Sequence, residues 1–343
     1  MRPVVRAVLR GSLRQIHHVR ATDPGRARGL VAEVYEQAQR DFGVLAPPLA
    51  LHSPAPPVLA AGWLMLRETL LVEGTVGRTA KEVVATEVSR ANSCPYCVSV
   101  HQATLDSLSA QPGAPGGALA VWAASTGRKP GRGAPTEPPF PAAQAPELAG
   151  TAVTFHYINR MVGLYLDESP VPGQAPGFVR GPIMRTVARS MRPVSGRPLE
   201  PGTALELLPA APLPAALSWA RPNPVVAEAM GRAVAAMEGA AHWVPTAVRD
   251  RLAERLEEWD GGPVGPSRAW LTEALTGLPH EDRPAARLAL LTAFAPYQAV
   301  DEDFAAFRTR FPEDRALIEL TAWAALSAAL CVGSRLAVTP VTR

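Results

Sequence analysis

The stretch Thr79-Ala-Lys-Glu82-Val83-Val84-Ala-Thr-Glu-Val88-Ser-Arg-Ala91-Asn92-Ser93-Cys94-Pro95-Tyr96-Cys97-Val-Ser-Val-His101 decides the fold. Its first part has helical period, with Val83, Val84, Val88 and Ala91 on one apolar stripe. Asn92-Ser93 interrupts the pattern, and Pro95 suits the first turn of a new helix running to about residue 108. Cys94 then sits at the helix start, as N-cap or beside it, and Cys97 falls within the first turn. A helix N-terminus carries partial positive charge, which favours a thiolate and lowers a cysteine pKa. His101 follows Cys97 by one turn and Cys94 by two, so the three side chains share a face. Two thiols with an imidazole nearby suit redox chemistry: one sulfur attacks, the other closes the disulfide, and the imidazole moves the proton. On these residues alone two other readings stay open. Zinc ligation needs a fourth ligand, and Cys331, the remaining cysteine, lies in an apolar run. The pair could equally be unreactive core cysteines beside a core histidine.

Working outward, helical spacing recurs almost everywhere. Leu30, Val31, Val34, Tyr35 and Ala38 form one stripe, and Val58, Leu59, Trp63, Leu66 and Leu70 another, with a Pro-rich connector over 46–57. Segments 118–125 and 149–166 read as helices around a Pro, Gly and Arg-rich loop over 127–146. Beyond a second Pro-rich stretch come helices over 225–237, 284–295, 303–309 and 314–337, and a stripe of Val248, Leu252, Leu256 and Trp259. The class is all-α, a helical bundle. The expected domains are a basic arm over 1–28, a catalytic unit over 29–191, a linker over 192–215 and a second helical unit over 216–343. A faint echo sets 148–166, with Asn159-Arg160, beside 317–336, with Ser334-Arg335; a rival register sets Cys97 opposite Cys331. The second unit would then be a degenerate repeat.

Composition narrows the function. The 343 residues are 47% hydrophobic and 19% charged, enough to build a sizeable core and too apolar for disorder. No stretch reads as long and apolar enough to span a membrane. Three cysteines cannot make a disulfide scaffold. Residues 1–28 carry seven arginines against Asp23, a net +6 within a total of +3, so the body is −3 and lacks the basic footprint of nucleic-acid binding. The arm reads as a frayed segment or one packed on a neighbouring subunit, or as a basic amphipathic helix meeting an anionic surface. It lacks the apolar core and cleavage site of a secretory signal, and a cytoplasmic protein is expected. Lys81 and Lys129 are the only lysines, neither in a phosphate-binding loop, and no glycine fingerprint follows a strand-like run. No cofactor is expected.

Cys94-Pro-Tyr-Cys97 is also the glutaredoxin tetrapeptide, but that fold needs a strand before the motif, where Thr79 to Ala91 has helical period. Glu82, twelve residues before Cys94, followed by Asn92, Cys94, Tyr96, Cys97 and His101, resembles instead the carboxymuconolactone decarboxylase superfamily, in its alkylhydroperoxidase AhpD-like branch. Phe155-His-Tyr-Ile-Asn-Arg160 extends the resemblance more loosely. It implies an all-helical, homo-oligomeric hydroperoxide reductase. Cys97 would be the peroxidatic thiolate, Cys94 the resolving one, and His101 with Glu82 a proton relay. The disulfide would be reopened by an external dithiol, a lipoyl-bearing or thioredoxin-like protein. Tyr96 stands where founding members often carry His, and His156 reads as a satisfied core histidine. The alternatives are a decarboxylase-type lyase like the superfamily's namesake, and a non-enzymatic redox-sensing or zinc-binding helical module.

Overall fold

The computed structural model describes residues 13–108, 117–129, 137–171 and 198–336. Residues 1–12 of the basic arm, the middle of the 127–146 loop and the first part of the linker lie outside the described residues. Among the described residues, twelve α-helices of six residues or more carry the architecture. In the first half they are α1 (Leu30–Asp41), α2 (Pro56–Leu66), α3 (Arg78–Ala91), α4 (Pro95–Leu108), α5 (Gly117–Ser125) and α6 (Ala145–Tyr165). The second half contributes α7 (Pro224–Ala240), α8 (Thr246–Glu258), α9 (Ala269–Ala274), α10 (Arg283–Phe294), α11 (Asp301–Arg308) and α12 (Asp314–Arg335). Among the described residues the sole β-type pairing is an isolated bridge between Ile16 and Leu166, so the all-α expectation holds.

Proline sets several helix starts. It occupies the first turn of α2, α6, α7 and α10, where its missing N–H is not needed. This is why α6 begins at Ala145, ahead of the expected 149: Pro146 opens the helix instead of breaking it. Asn223 caps α7 by accepting from the Val226 N–H. Helix α2 runs on into a single π-helical turn, Arg67–Leu71.

Helix α6 is buried along almost its whole length, between α3 on one side and α12 on the other. The two halves share one hydrophobic core. Helix α2 packs along α7, and α6 along α12. Gly150 lets α6 press onto the π-helical turn, since a Cβ there would stand 2.8 Å from Cγ2 of Thr69.

Charges inside the core are paired, as burial demands. Arg67 donates to Asp41 (2.7 Å) and to Glu68 (2.5 Å). Lys81 meets Glu147 at 2.5 Å, with burial pulling the ammonium pKa down against the opposing carboxylate. Helix α12 corrects one expectation. It is 22 residues long and apolar enough, by length and composition, to cross a membrane. However, 78% of its most apolar window is buried inside the protein, as in a core helix.

Candidate dithiol site

The turn between α3 and α4 builds the site. Asn92 closes α3, and Ser93 takes a left-handed φ of 52°. The Cys94 N–H returns to the Ser89 carbonyl (2.9 Å), while its own carbonyl accepts from Val98 (3.0 Å). Cys94 is thus the N-cap of α4. So short a connection folds α4 back along α3, and His101 arrives over Glu82, its Nδ1 2.7 Å from Oε2.

Glu82 is fully buried and its other oxygen is held by Arg78, at 2.7 Å from Nε and 2.6 Å from Nη2. Burial alone would raise its pKa; Arg78 and His101 more than offset that and hold the carboxyl below its ordinary range. The Phe155 ring meets the His101 ring edge-on at 4.6 Å, fixing its plane. A carboxylate on one imidazole nitrogen orients the other and makes it a better proton carrier.

Cys94 and Cys97 are free thiols and both are buried. Their environments differ. The Cys97 thiol, and its backbone N–H at the helix start, hydrogen-bond to Cys94 and outweigh burial, holding the Cys94 thiol below its usual range. Cys97 is pushed well up, by burial first and by the neighbouring Cys94 second. The two thiols are thus inequivalent: Cys94 is held the more acidic of the pair, with Cys97 as its hydrogen-bond partner. Tyr96 is buried, and its phenol pKa is raised by burial and by the two sulfurs.

All four residues singled out from the sequence, Glu82, Cys94, Cys97 and His101, lie on the α3–turn–α4 unit. Cys331 does not join them. It is half-buried on α12, its sulfur 3.5 Å from the Leu256 carbonyl. Among the described residues no group of three or more His, Cys, Asp or Glu side chains is arranged as a metal-ligand set.

Sequence reasoning missed Arg78, Ser89 and Asn159, and gave Asn92 no role. Asn159 on α6 donates to Ser89 Oγ (3.0 Å) and accepts from Asn92 (2.9 Å). The signal was the polar pair Asn159-Arg160 in a mostly apolar helix. His156 is the satisfied core histidine expected: Nδ1 lies 3.1 Å from Asn92 Nδ2, and Nε2 2.9 Å from Thr126 Oγ1.

A helical bundle presenting a Cys-x-x-Cys-x-x-x-His helix against a buried glutamate defines a dithiol protein of the alkylhydroperoxidase kind. No family profile matches the chain. It is, however, 38% identical over 341 residues to a Mycobacterium tuberculosis protein named alkyl hydroperoxide reductase Rv2159c, covering 93% of this chain and 94% of that one. The chain belongs to the AhpD-like alkyl hydroperoxide reductase family.

Proposed function

We propose that the protein is a thiol-dependent hydroperoxide reductase in which Cys97 attacks the peroxide and Cys94 resolves it. The observation that carries this reading is a free dithiol at a helix N-terminus beside an imidazole locked 2.7 Å from a fully buried carboxylate. The relative's name supports the same activity. The Cys97 sulfur attacks the terminal peroxide oxygen as its proton passes to the Cys94 thiolate. An S–O bond forms, the O–O bond breaks, and the departing alkoxide takes a proton from His101, which Glu82 steadies. Cys97 is then a sulfenic acid. The Cys94 sulfur displaces its hydroxyl, which leaves as water, and the Cys94–Cys97 disulfide remains. An external dithiol, lipoyl-bearing or thioredoxin-like, reopens it through a mixed disulfide. The working form is a homo-oligomer.

The unit over 216–343 is a degenerate repeat of 29–191 in this reading. Helix α10 packs on α12 as α3 packs on α6. Pro296-Tyr297-Gln298 follows α10 where Pro95-Tyr96-Cys97 follows α3, so a glutamine stands in the place of a sulfur. Arg160 and Arg335, late in α6 and α12, each lie 5.6 Å from the Trp259 ring centre. This favours the register that pairs the two long helices over the one that pairs Cys97 with Cys331.

The test is hydroperoxide consumption with dihydrolipoamide as reductant, run beside a muconolactone decarboxylation assay. Cys97→Ser should abolish reduction, and Cys94→Ser should consume about one equivalent and stop at sulfenic acid. The reverse pattern exchanges the two sulfurs; full activity in both variants removes the proposal.

A further inference from the structure

We infer that Asn159 is the amide donor that steadies charge on the dithiol, and that Asn92 and His156 are positioning residues that fix which end of that amide faces the sulfurs. This deepens the redox reading above and rests on it. Asn159 is buried, and its amide lies 3.0 Å from the hydroxyl of Ser89, the residue whose carbonyl receives the Cys94 N–H (2.9 Å), beside a dithiol whose two pKa values it lowers. What it presents to the sulfurs, N–H or carbonyl oxygen, depends on how its amide is turned.

We assign the sense by hydrogen-bond accounting, starting from the far end. The Thr126 hydroxyl has one proton, which we place toward the Ala123 carbonyl (2.8 Å). Thr126 Oγ1 can then only accept from His156 Nε2, so His156 carries its proton on Nε2 and leaves Nδ1 bare. The Asn92 neighbour at 3.1 Å must be the amide nitrogen, donating to Nδ1. Its second N–H goes to Asn159 Oδ1 at 2.9 Å. Asn159 therefore turns its oxygen to Asn92 and its nitrogen to the α3–α4 turn. One N–H meets Ser89 Oγ, whose own proton is committed to the Ala85 carbonyl (2.7 Å). The other N–H is left for sulfur. Flipping Asn159 alone would set two amide nitrogens against each other; the fully reversed chain, with Thr126 donating to His156 and Ser89 to Asn159, would turn the amide oxygen to the sulfurs, and the titration below separates the two.

The chain runs through three packed elements: the end of α5, the α3–α4 turn and α6. Burial holds His156 neutral, with Arg160 adding to the effect, so this donor sense persists in the working pH range. A carbonyl oxygen at the same place would repel a thiolate; an N–H shares its charge with the helix-start N–H of Cys97.

The experiment follows the pH dependence of iodoacetamide alkylation, and of thiolate absorbance in the ultraviolet, on the reduced full-length protein. Asn159→Leu should move the titration up by about one pH unit, slowing alkylation about tenfold below it. Asn159→Asp, of the same size, keeps an acceptor toward Asn92 and replaces the donor by a carboxylate, so it should move it further. His156→Leu should give a smaller shift in the same direction. Thr321→Val, a buried hydroxyl removed elsewhere in the core, should leave the titration unchanged. A wild-type titration in folded Asn159→Leu overturns the inference; should that variant fail to fold, a wild-type titration in Asn159→Asp does so. No peroxide enters this assay. A protein showing the shifts yet reducing no hydroperoxide would keep the hydrogen-bond assignment and lose the peroxidase reading.

Discussion

Glu82→Gln keeps the shape of the site and removes its charge. The wild-type carboxylate, fully buried, accepts from His101 and from Arg78 Nε, each at 2.7 Å, and forms an ion pair with Arg78 Nη2 at 2.6 Å. Glutamine offers one oxygen and points an N–H₂ group at a donor, so one partner loses its acceptor and the guanidinium loses its counter-charge. Removing one member of a buried ion pair costs about 3–5 kcal/mol. Arg78 is 11% exposed and keeps some water, which sets the expectation at the lower end, about 3 kcal/mol. With an unfolding entropy of about 2.1 cal/mol/K per residue over 343 residues, the midpoint should fall by about 4 °C. The pH dependence has a definite sign. The folded Glu82 pKa lies below its ordinary 4.5, so its contribution is complete above that value and fades as pH falls through the lowered one. The gap between wild type and variant should be full at pH 7 and narrow below about pH 4. Peroxide turnover, corrected for folded fraction, should fall about a hundredfold, because His101 loses the acceptor that orients it. Thermal unfolding by circular dichroism at both pH values, with peroxide consumption at pH 7, makes the measurement. An unchanged midpoint and turnover would refute the reasoning.

Three further outcomes are expected. Cys331→Ala should retain full activity and lose no more than about 1 kcal/mol of stability; a stable but inactive variant would bring α12 into the chemistry. The isolated protein with a hydroperoxide should not oxidise NADH, and turnover should begin only when dihydrolipoamide or reduced thioredoxin is added; NADH loss by the protein alone would contradict this. Gly261→Ala should destabilise by at least about 2 kcal/mol. Gly261 has φ +91°, and a Cβ there would stand 1.8 Å from the Gly127 carbonyl oxygen. A wild-type midpoint would mean that the 259–263 loop does not seat on Gly127.

The sequence made the helices and the dithiol turn legible because both depend on local chemistry. Apolar spacing marked α3, and Asn92-Ser93 followed by Pro95 marked its end and the start of α4, which places Cys94 at the cap. Long-range pairing left no local mark. Arg67 and Glu68 looked like the end of an apolar run, yet both are buried, because Asp41 and the backbone of the 200–202 segment satisfy them. Glu319 similarly concealed how apolar α12 is; it is paired with Trp243 and Arg315. Asn159 and His156 belong to the same class. Each is a polar residue in an apolar helix, and only the packing of α6 against the α3–α4 turn gives it a partner. The glutamate–histidine contact was intermediate: the spacing suggested it, and the tightness of the turn produced it.

The most direct measurement adds one equivalent of an alkyl hydroperoxide to the fully reduced protein, counts free thiols, and maps disulfides by peptide mass spectrometry. The account predicts the loss of two thiols per peroxide, a single Cys94–Cys97 disulfide, Cys331 still free, and the alcohol released in equal amount. Unconsumed peroxide with all three thiols intact would contradict it.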